Sequence, residues 1–469
     1  MTNKQSVKLP DGSSTPSLFQ TIQLIANPIN FFDACAHRYG DIFTARVLGI
    51  NSPPVVFLGN PEAVKAVFTA SPGQFELGKV THVFKPLTGE KSLMMLDGNR
   101  HQRQRKLLMP PFHGERMQVY GELISEITEQ VIAQLPRNSS FSMREWMCEI
   151  TLQVILRVVF GIEPGARYQQ LKTLIAEMLE AITNPLYSTL FFFPPLQKDL
   201  GAGSPWGHFL QRQKQIDELI YAEIADRRRQ DYSSRTDILS LLMSAQDEDG
   251  QPMTDGELRD QLITLLLLGH ETTASSLAWA FYWIYSSTGV ASKLQAELHT
   301  LGKKPHSEAI AQLPYLNAVC QETLRVYPIA LISQPRVVKQ PLEIKSYNFE
   351  PGTILVPCIY IAHHRRETFP NPRQFQPERF LERKYSPYEY FPFGGGSRAC
   401  IGGAFSLFEM KLVLGTVISR LQLSLAEQPQ VQPVRRGITI VPSGGVQMTV
   451  QHLRALHNHG MVKVADGQR

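Results

Sequence analysis

The sequence predicts a mainly α fold with a small β part, and three observations lead to that prediction. Apolar residues recur at three- and four-residue spacing in successive blocks between residues 101 and 301, which is the period of an α-helix packed on one side. One block, residues 254–285, stays compatible with a helix about 45 Å long. Segments typical of strands lie outside this region, towards both ends of the chain. Helices should therefore dominate, with strands in the minority.

Two short strands are predicted near the amino terminus, at residues 42–47 and 55–58. The turn between them contains Gly49 and two prolines. A helix is predicted to begin at Pro61, because proline suits the first position of a helix.

Helical blocks follow through the middle of the chain, interrupted by a loop rich in Pro and Gly at residues 184–207. The clearest of these blocks are residues 115–135, 142–160 and 206–230. The longest block begins at Thr254, whose spacing to Glu257 fits a capping box. A helix of that length could cross the whole molecule.

The carboxyl-terminal part is predicted to be irregular and strand-rich from Pro328 to Phe393, where Pro, Gly and aromatic residues are frequent. A last helix is predicted from Gly403 to Leu421, with short strands after it.

One domain over residues 1–469 is predicted, because no repeat, low-complexity tract or long linker divides the chain. Residues 1–25 are expected to be loosely ordered, and residues 455–469 to form a flexible tail. The apolar pieces within residues 18–26 are too broken for a signal sequence or a membrane span.

Composition limits the functional classes. A net charge of +5 over 469 residues gives little reason to expect nucleic acid as a partner. The five cysteines are odd in number, far apart and without a Cys-x-x-Cys pair, which argues against a disulfide framework and a zinc knuckle. A reducing compartment, the cytoplasm, is the expected location.

One cysteine, Cys400, lies in a glycine-rich segment directly before the last predicted helix; residues 391–403 read FPFGGGSRACIGG. Glycines let the backbone approach a flat cofactor and turn N–H groups towards a sulfur. A helix amino terminus and the neighbouring Arg398 both favour a thiolate, the ligand that promotes O–O cleavage on haem iron. Taken alone, the segment also fits a phosphate-binding glycine loop or an inert buried cysteine.

The spacing within this segment resembles the haem loop of the cytochrome P450 family, Phe-x-x-Gly-x-Arg-x-Cys-x-Gly. Phe393, Gly396, Arg398, Cys400 and Gly402 match every specified position. The resemblance implies a P450 fold, with haem b (iron protoporphyrin IX) between the long central helix and the helix after the cysteine loop. It also implies that Cys400 is the proximal iron ligand, that Phe393 packs near the sulfur and that Arg398 faces a haem propionate.

Glu322 and Arg325 lie three residues apart on a predicted helix, so they share one face and can pair. Such pairs are usually solvated and contribute little to stability. In the P450 family a Glu-x-x-Arg pair is buried and joined by a later arginine, and the segment FQPERF at residues 375–380 resembles that later region. The resemblance implies a structural triad of Glu322, Arg325 and Arg379 without a catalytic role.

The long helix contains Gly269, His270, Glu271 and Thr272 in succession. His-Glu also begins the zinc-protease signature His-Glu-x-x-His, but the fifth position is Ala274, so the zinc interpretation fails. The same residues resemble the oxygen-activating stretch of the P450 family, which implies that Glu271 and Thr272 deliver protons. Packing, or a bond from the hydroxyl back to a carbonyl, is the alternative role for such a threonine.

Leu268 departs from the family pattern, because Ala or Gly usually precedes the glycine at position 269. Leu268 and Gly269 are therefore candidates for the substrate pocket. A leucine there is expected to narrow the space over the iron and to favour slim or terminally presented substrates.

His101 and Arg105 lie one turn apart on a predicted helix and could face one anionic partner. The resemblance implies that both bind haem propionates, as does Arg336; ordinary solvated charges are the alternative. The three phenylalanines at residues 191–193 lie where the family places a mobile substrate entrance, although aromatic clusters more often belong to a core.

The resemblance implies a monomeric haem-thiolate monooxygenase that inserts one oxygen atom from O2 into a lipophilic small molecule. A medium- or long-chain fatty acid is the expected substrate, with a terpene or steroid as the alternative. No flavin or nicotinamide fingerprint follows Gly402, so a separate ferredoxin or flavodoxin with its reductase should supply electrons, attracted by a basic surface that includes Arg103 and Lys106. A peroxide-driven or isomerising haem-thiolate enzyme and a non-catalytic haem carrier or gas sensor remain open.

Overall fold

A computed structural model describes residues 9–77, 79–114, 116–137, 139–183, 191, 197–201, 203–302 and 305–453. Helices dominate this part of the chain, which confirms the predicted mainly α architecture with a small β part. The α-helices are α1 (Ser17–Ala26), α2 (Pro28–Tyr39), α3 (Pro61–Phe68), α4 (Lys85–Thr88), α5 (Gly98–Leu108), α6 (Arg116–Ile132), α7 (Met143–Val154), α8 (Ala166–Thr183), α9 (Pro205–Arg228), α10 (Ile238–Ser244), α11 (Asp255–Ser286), α12 (Val290–His299), α13 (Ser307–Ala311), α14 (Pro314–Val326), α15 (Ile359–His363), α16 (Arg379–Glu382) and α17 (Gly403–Arg420).

Short strands within the described residues form four small sheets. The strands are β1 (Ile42–Ala45), β2 (Val55–Leu58), β3 (Phe75–Glu76), β4 (Phe141–Ser142), β5 (Arg336–Val338), β6 (Leu342–Ile344), β7 (Tyr347–Phe349), β8 (Ile354–Pro357), β9 (Leu421–Leu425), β10 (Pro433–Arg436), β11 (Thr439–Pro442) and β12 (Gln447–Leu453). The largest sheet has the order β1-β2-β8-β5-β3, in which only β2 and β8 are parallel. The others are the hairpins β6–β7 and β10–β11 and the sheet β4-β12-β9.

The long helix α11 forms as predicted. Its 32 residues extend about 48 Å. The capping box is complete, because the Glu257 N–H donates to the Thr254 hydroxyl at 3.2 Å and the Thr254 N–H donates to the Glu257 carboxylate at 2.8 Å. Most of its residues are buried, and it packs against α7, α14 and α17. The helix is therefore surrounded by other elements of the core.

The largest sheet is covered on both faces, because the side chains of β2 alternate between two cores. Val55 and Phe57 pack with the apolar side of α2, whereas Val56 and Leu58 pack with α3. This sheet therefore forms a compact unit beside the helical core.

Some predicted elements differ in extent. Helix α1, Ser17–Ala26, begins within residues 1–25, the segment that the sequence predicted to be loosely ordered. The predicted helix at residues 142–160 ends at Val154 and continues as a π-helical turn, Ile155–Val159. Phe192, Phe193 and residues 455–469 lie outside the described residues. Phe191 is buried, with its ring 5.2 Å from that of Phe209, so this residue belongs to the core.

None of the helices in the described residues is long and apolar enough to cross a bilayer.

Candidate functional site

The cysteine loop is fixed at both ends. At its start, the Phe391 N–H donates to His363 Nε2 at 3.0 Å, and the Phe391 ring meets that of Phe68 edge-on at 5.3 Å. Burial first, and then the positive charge of a nearby arginine, lower the pKa of His363 well below its ordinary value, so the ring is neutral and can accept this bond. At its end, the Cys400 N–H donates to the Phe393 carbonyl at 2.9 Å. The loop therefore presents Cys400 from a closed turn.

Glycine is required where this loop lies against α3. Gly396 has φ +64°, and a Cβ there would lie 2.4 Å from the Phe68 carbonyl oxygen. Gly402 has φ −82° and no neighbouring atom within 4 Å of a Cβ. Gly396 therefore sets the path of the backbone, whereas Gly402 does not need to be glycine for space within the chain.

Cys400 is the exposed cysteine among the five. Close protein surroundings nevertheless raise the pKa of its thiol, and the Gly402 N–H and the Arg105 guanidinium oppose that rise. These surroundings favour the thiol, and a cation bound at the sulfur would favour the thiolate. The other cysteines, Cys35, Cys148, Cys320 and Cys358, are buried or half-buried.

Four basic side chains converge beside this loop. His101 is 4% exposed and Arg336 is 6% exposed. Burial, followed by the charges of Arg398, Arg105 and Arg336, lowers the pKa of His101 to about 3. Burial, followed by the charge of Arg398, lowers the pKa of Arg336 to about 9. Each positive charge in the cluster disfavours the protonated form of its neighbours. The cluster therefore contains too little negative charge to offset its basic side chains.

In the part of the chain that the structure describes, carboxylates do not balance this cluster. Arg398 pairs with Asp97. Arg105 donates to the Ala399 carbonyl at 2.7 Å and Arg336 donates to the Gln334 carbonyl at 2.6 Å, and these acceptors carry no net charge. Buried cations persist when an anion accompanies them. The donor set therefore fits an iron porphyrin, with the cysteine sulfur for the iron and the basic cluster for two propionates.

The threonines of α11 bond back to their own helix. Thr272 Oγ1 donates to the Leu268 carbonyl at 2.7 Å, which is the alternative role considered for such a residue. Thr273 Oγ1 donates to the Gly269 carbonyl at 3.0 Å and lies 3.0 Å from Ser406 Oγ on α17. Thr272 is half-buried and its hydroxyl oxygen can still accept a hydrogen bond.

Glu271 is buried and lies between two arginines. Its carboxylate accepts from Arg144 of α7 and from Arg436 of β10, the latter at 2.9 Å. Arg436 also donates to Glu180 of α8 at 2.7 Å. Sequence reasoning missed both arginines, since neither lies near Glu271 in the chain and no local pattern marks them.

The structure places Glu322, Arg325 and Arg379 in one buried ion-pair cluster. Arg325 donates to the two Glu322 carboxylate oxygens at 2.6 and 2.8 Å, and Arg379 donates at 3.1 Å. Arg325 also donates to the His363 carbonyl at 2.9 Å. Because the His363 ring accepts from Phe391, this cluster is connected to the start of the cysteine loop.

Comparison with known proteins agrees with this geometry. The sequence profile of the family Cytochrome P450 matches residues 10–450. A protein of Mycobacterium tuberculosis named as cytochrome P450 135B1 is 35% identical over 456 residues, which cover 97% of this chain and 94% of the relative. The chain belongs to the cytochrome P450 family. A second protein of the same species, named as cytochrome P450 135A1, is 32% identical over 98% of this chain and 99% of its own.

Solved P450 structures share the fold. The structure described as "Retinoic acid bound cyanobacterial CYP120A1" superposes with a TM-score of 0.82 at 23% identity, over 96% of this chain and all of that one. The structure described as "Crystal structure of cytochrome P450DA heme domain" gives 0.81 at 21% identity, over 96% of this chain and 99% of that one. Family membership makes this protein a cytochrome P450 monooxygenase, whose haem has a cysteine thiolate as axial ligand, and the family uses O2 and redox partners.

The two residues that the sequence assigned to a basic surface of this P450 are both paired with carboxylates. Arg103 pairs with Asp247 at 2.5 Å and with Glu257 at 2.9 Å, and Lys106 pairs with Glu248 at 2.6 Å. Three carboxylates from a distant segment thus accompany these two cations and reduce the net positive charge that they contribute.

Proposed function

We propose that this P450 hydroxylates a medium- or long-chain fatty acid, with Cys400 as the axial ligand of haem b. The observation that carries the ligand assignment is an exposed cysteine, held in a closed loop, beside buried basic residues without enough carboxylates. Cys400 would bind the iron, and His101, Arg105, Arg336 and Arg398 would bind the propionates. When bound, the thiolate-ligated haem supplies the activation of O2.

Protons are proposed to reach the oxygen site through Glu271 and Thr272. Thr272 donates its hydroxyl proton to the Leu268 carbonyl, so its hydroxyl oxygen can accept a hydrogen bond from a water molecule. Arg144 and Arg436 both donate to the Glu271 carboxylate and hold it in place. Glu271 directly precedes Thr272 in the sequence. A general acid must be positioned before its pKa matters, and these contacts provide the positioning.

Leu268 supports a narrow substrate. It is half-buried and directly precedes Gly269. Its carbonyl accepts from the Thr272 hydroxyl, four residues later, so the side chains of Leu268 and Thr272 lie on the same face of α11. An isobutyl group there takes up space that an alanine would leave to the substrate. A chain presented by its end is therefore favoured over a broad ring system, and a terpene or steroid is the second candidate.

A ferredoxin or flavodoxin with its reductase is proposed as the electron source. Because Arg103 and Lys106 are paired with carboxylates, they contribute less net positive charge to the attraction for such a partner than the sequence alone suggested. Turnover supported by peroxide alone, with no turnover from any reductase system, would favour a peroxide-driven enzyme instead.

The test is a titration of the purified ferric protein with fatty acids of graded chain length, a terpene and a steroid, following the Soret band. A saturable, length-dependent shift from low to high spin supports fatty-acid hydroxylation. A shift with only the terpene or steroid would retain the enzyme and reject the substrate. Cys400→Ala should lose the thiolate-haem spectrum, and an unchanged spectrum would reject the ligand assignment.

A further inference from the structure

Helix α1 is oriented with its apolar side outward. Its only buried residue is a polar one, Gln20. The ten residues SLFQTIQLIA include no charged side chain. A surface helix of a water-soluble protein normally buries its apolar side. Four large apolar side chains of α1 are instead between 44 and 61% exposed, namely Leu18, Phe19, Ile22 and Ile25.

Polar contacts hold the helix in this orientation. Gln20 Nε2 donates to the Thr15 carbonyl at 2.7 Å, and Gln20 Oε1 accepts from the Arg46 N–H at 2.9 Å. Ser17 Oγ donates to the Ile50 carbonyl at 2.5 Å. The polar side of α1 is thus satisfied by the protein, so the outward apolar side is a consequence of specific bonds and not of a missing core.

Two neighbouring turns extend the same apolar surface. The β1–β2 turn, which Ser17 contacts, exposes Ile50 by 74% and also exposes Leu48. The β10–β11 hairpin, which reaches the Ile25 carbonyl through its Arg435 side chain at 3.5 Å, exposes two more residues. We call the eight side chains the α1 face: Leu18, Phe19, Ile22, Ile25, Leu48, Ile50, Val434 and Ile438.

Two arginines, Arg46 and Arg435, contact α1 beside the α1 face. Arg46 donates to the Ser52 carbonyl and Arg435 to the Gly437 carbonyl. Neither forms an ion pair with a carboxylate in the part of the chain that the structure describes. Two arginines and an uncharged apolar helix are complementary to a surface that is apolar inside and anionic at its boundary.

We propose that the α1 face attaches this P450 to the surface of an anionic lipid bilayer. A helix lying in the interface places its apolar side among the acyl chains and leaves cations near the lipid phosphates. A second copy is a poorer occupant, because an isologous two-fold interface would bring together two identical patches that each carry Arg46 and Arg435. Attachment is independent of turnover, so it stands or fails separately from the proposed hydroxylation.

Attachment would also place the β10–β11 hairpin at the lipid surface. Arg436, next to Arg435, bonds to Glu271 of α11 and to Glu180 of α8. The hairpin that meets lipid is therefore bonded to both the long helix and α8. If the proposed fatty-acid hydroxylation is correct, the substrate would be taken from the bilayer and not from water.

The test is flotation of the haem-loaded protein with vesicles of phosphatidylcholine alone or with about a third phosphatidylglycerol. We expect binding to the anionic vesicles and a loss of about tenfold for each large side chain removed, hence about 100-fold for Phe19→Ser with Ile22→Ser. The matched control is Val119→Ser on α6, which is 55% exposed outside the α1 face and should bind like the parent. Unchanged haem spectra and urea midpoints would show that both variants are folded.

A second pair of variants separates charge from apolar contact. Arg46→Gln with Arg435→Gln should weaken binding to the anionic vesicles by about fivefold per arginine and leave binding to phosphatidylcholine unchanged. A parent protein that stays unbound with both kinds of vesicle would overturn the proposal. So would a dimer in sedimentation velocity that the Phe19 and Ile22 substitutions convert to a monomer, because the α1 face would then be covered by a second copy.

Discussion

The conformation of the cysteine loop should depend on Gly396 and not on Gly402, and an alanine at each position tests this. At Gly396, φ is +64° and a Cβ would lie 2.4 Å from the Phe68 carbonyl oxygen and 3.1 Å from the Phe68 carbonyl carbon. At Gly402, φ is −82° and no atom lies within 4 Å of the added carbon. The two substitutions add the same methyl group, four residues before and two residues after Cys400.

The expected cost follows from two contributions. A left-handed conformation costs a residue with a Cβ about 1–2 kcal/mol. The clash with Phe68 is with backbone atoms, which cannot rotate away, so overpacking of about 1–3 kcal/mol is added. Gly396→Ala should therefore lower the free energy of unfolding by about 2–5 kcal/mol, whereas Gly402→Ala should change it by no more than about 0.5 kcal/mol.

The assay is urea unfolding of the purified haem-loaded variants, with haem content measured from the Soret band. Gly396→Ala should also load less haem, because relieving the clash moves the loop that presents Cys400. Equal losses for the two variants, or a larger loss for Gly402→Ala, would refute the explanation from backbone conformation.

Three further outcomes are expected. Glu322→Gln leaves two buried guanidinium groups without a carboxylate and should lower the free energy of unfolding by about 3–5 kcal/mol, while Glu248→Gln, which removes an exposed pair, should cost at most about 1 kcal/mol in the same urea titration. In haem-free protein, maleimide should label Cys400 first, at a rate that rises about tenfold per pH unit between about pH 6 and 8, because the raised pKa of its thiol leaves the thiolate as the minor form. Arg105→Leu removes a cation that lowers this pKa and should slow the labelling, and a rate independent of pH would contradict the assignment. Leu268→Ala should shift the position of oxidation along a fatty acid, as measured from the product distribution, and an unchanged distribution would count against a narrowing role.

The features that sequence predicted well are local ones. Helix α11 was predictable because its period and its Thr254–Glu257 cap involve residues only a few positions apart. The P450 haem loop was recognisable because its five motif residues lie close together in the sequence, between Phe393 and Gly402, although the crowding that requires Gly396 comes from the distant Phe68. Helix α1 was not predicted, because its apolar pieces alone are weak and Gln20 is held partly by the backbone of Arg46, 26 residues away.

The sequence by itself determined the helix-rich architecture, the position of the thiolate candidate Cys400 and the membership of the P450 family, since each is recorded in short-range spacing. Tertiary structure alone decided which charges meet beyond the triad and the propionate residues that the family resemblance implied. It gave Glu271 two arginines from α7 and β10, and it paired Arg103 and Lys106 with carboxylates of a distant segment. The physical reason is that burial and Coulomb interactions depend on distances between segments far apart in the chain, and only packing sets those distances.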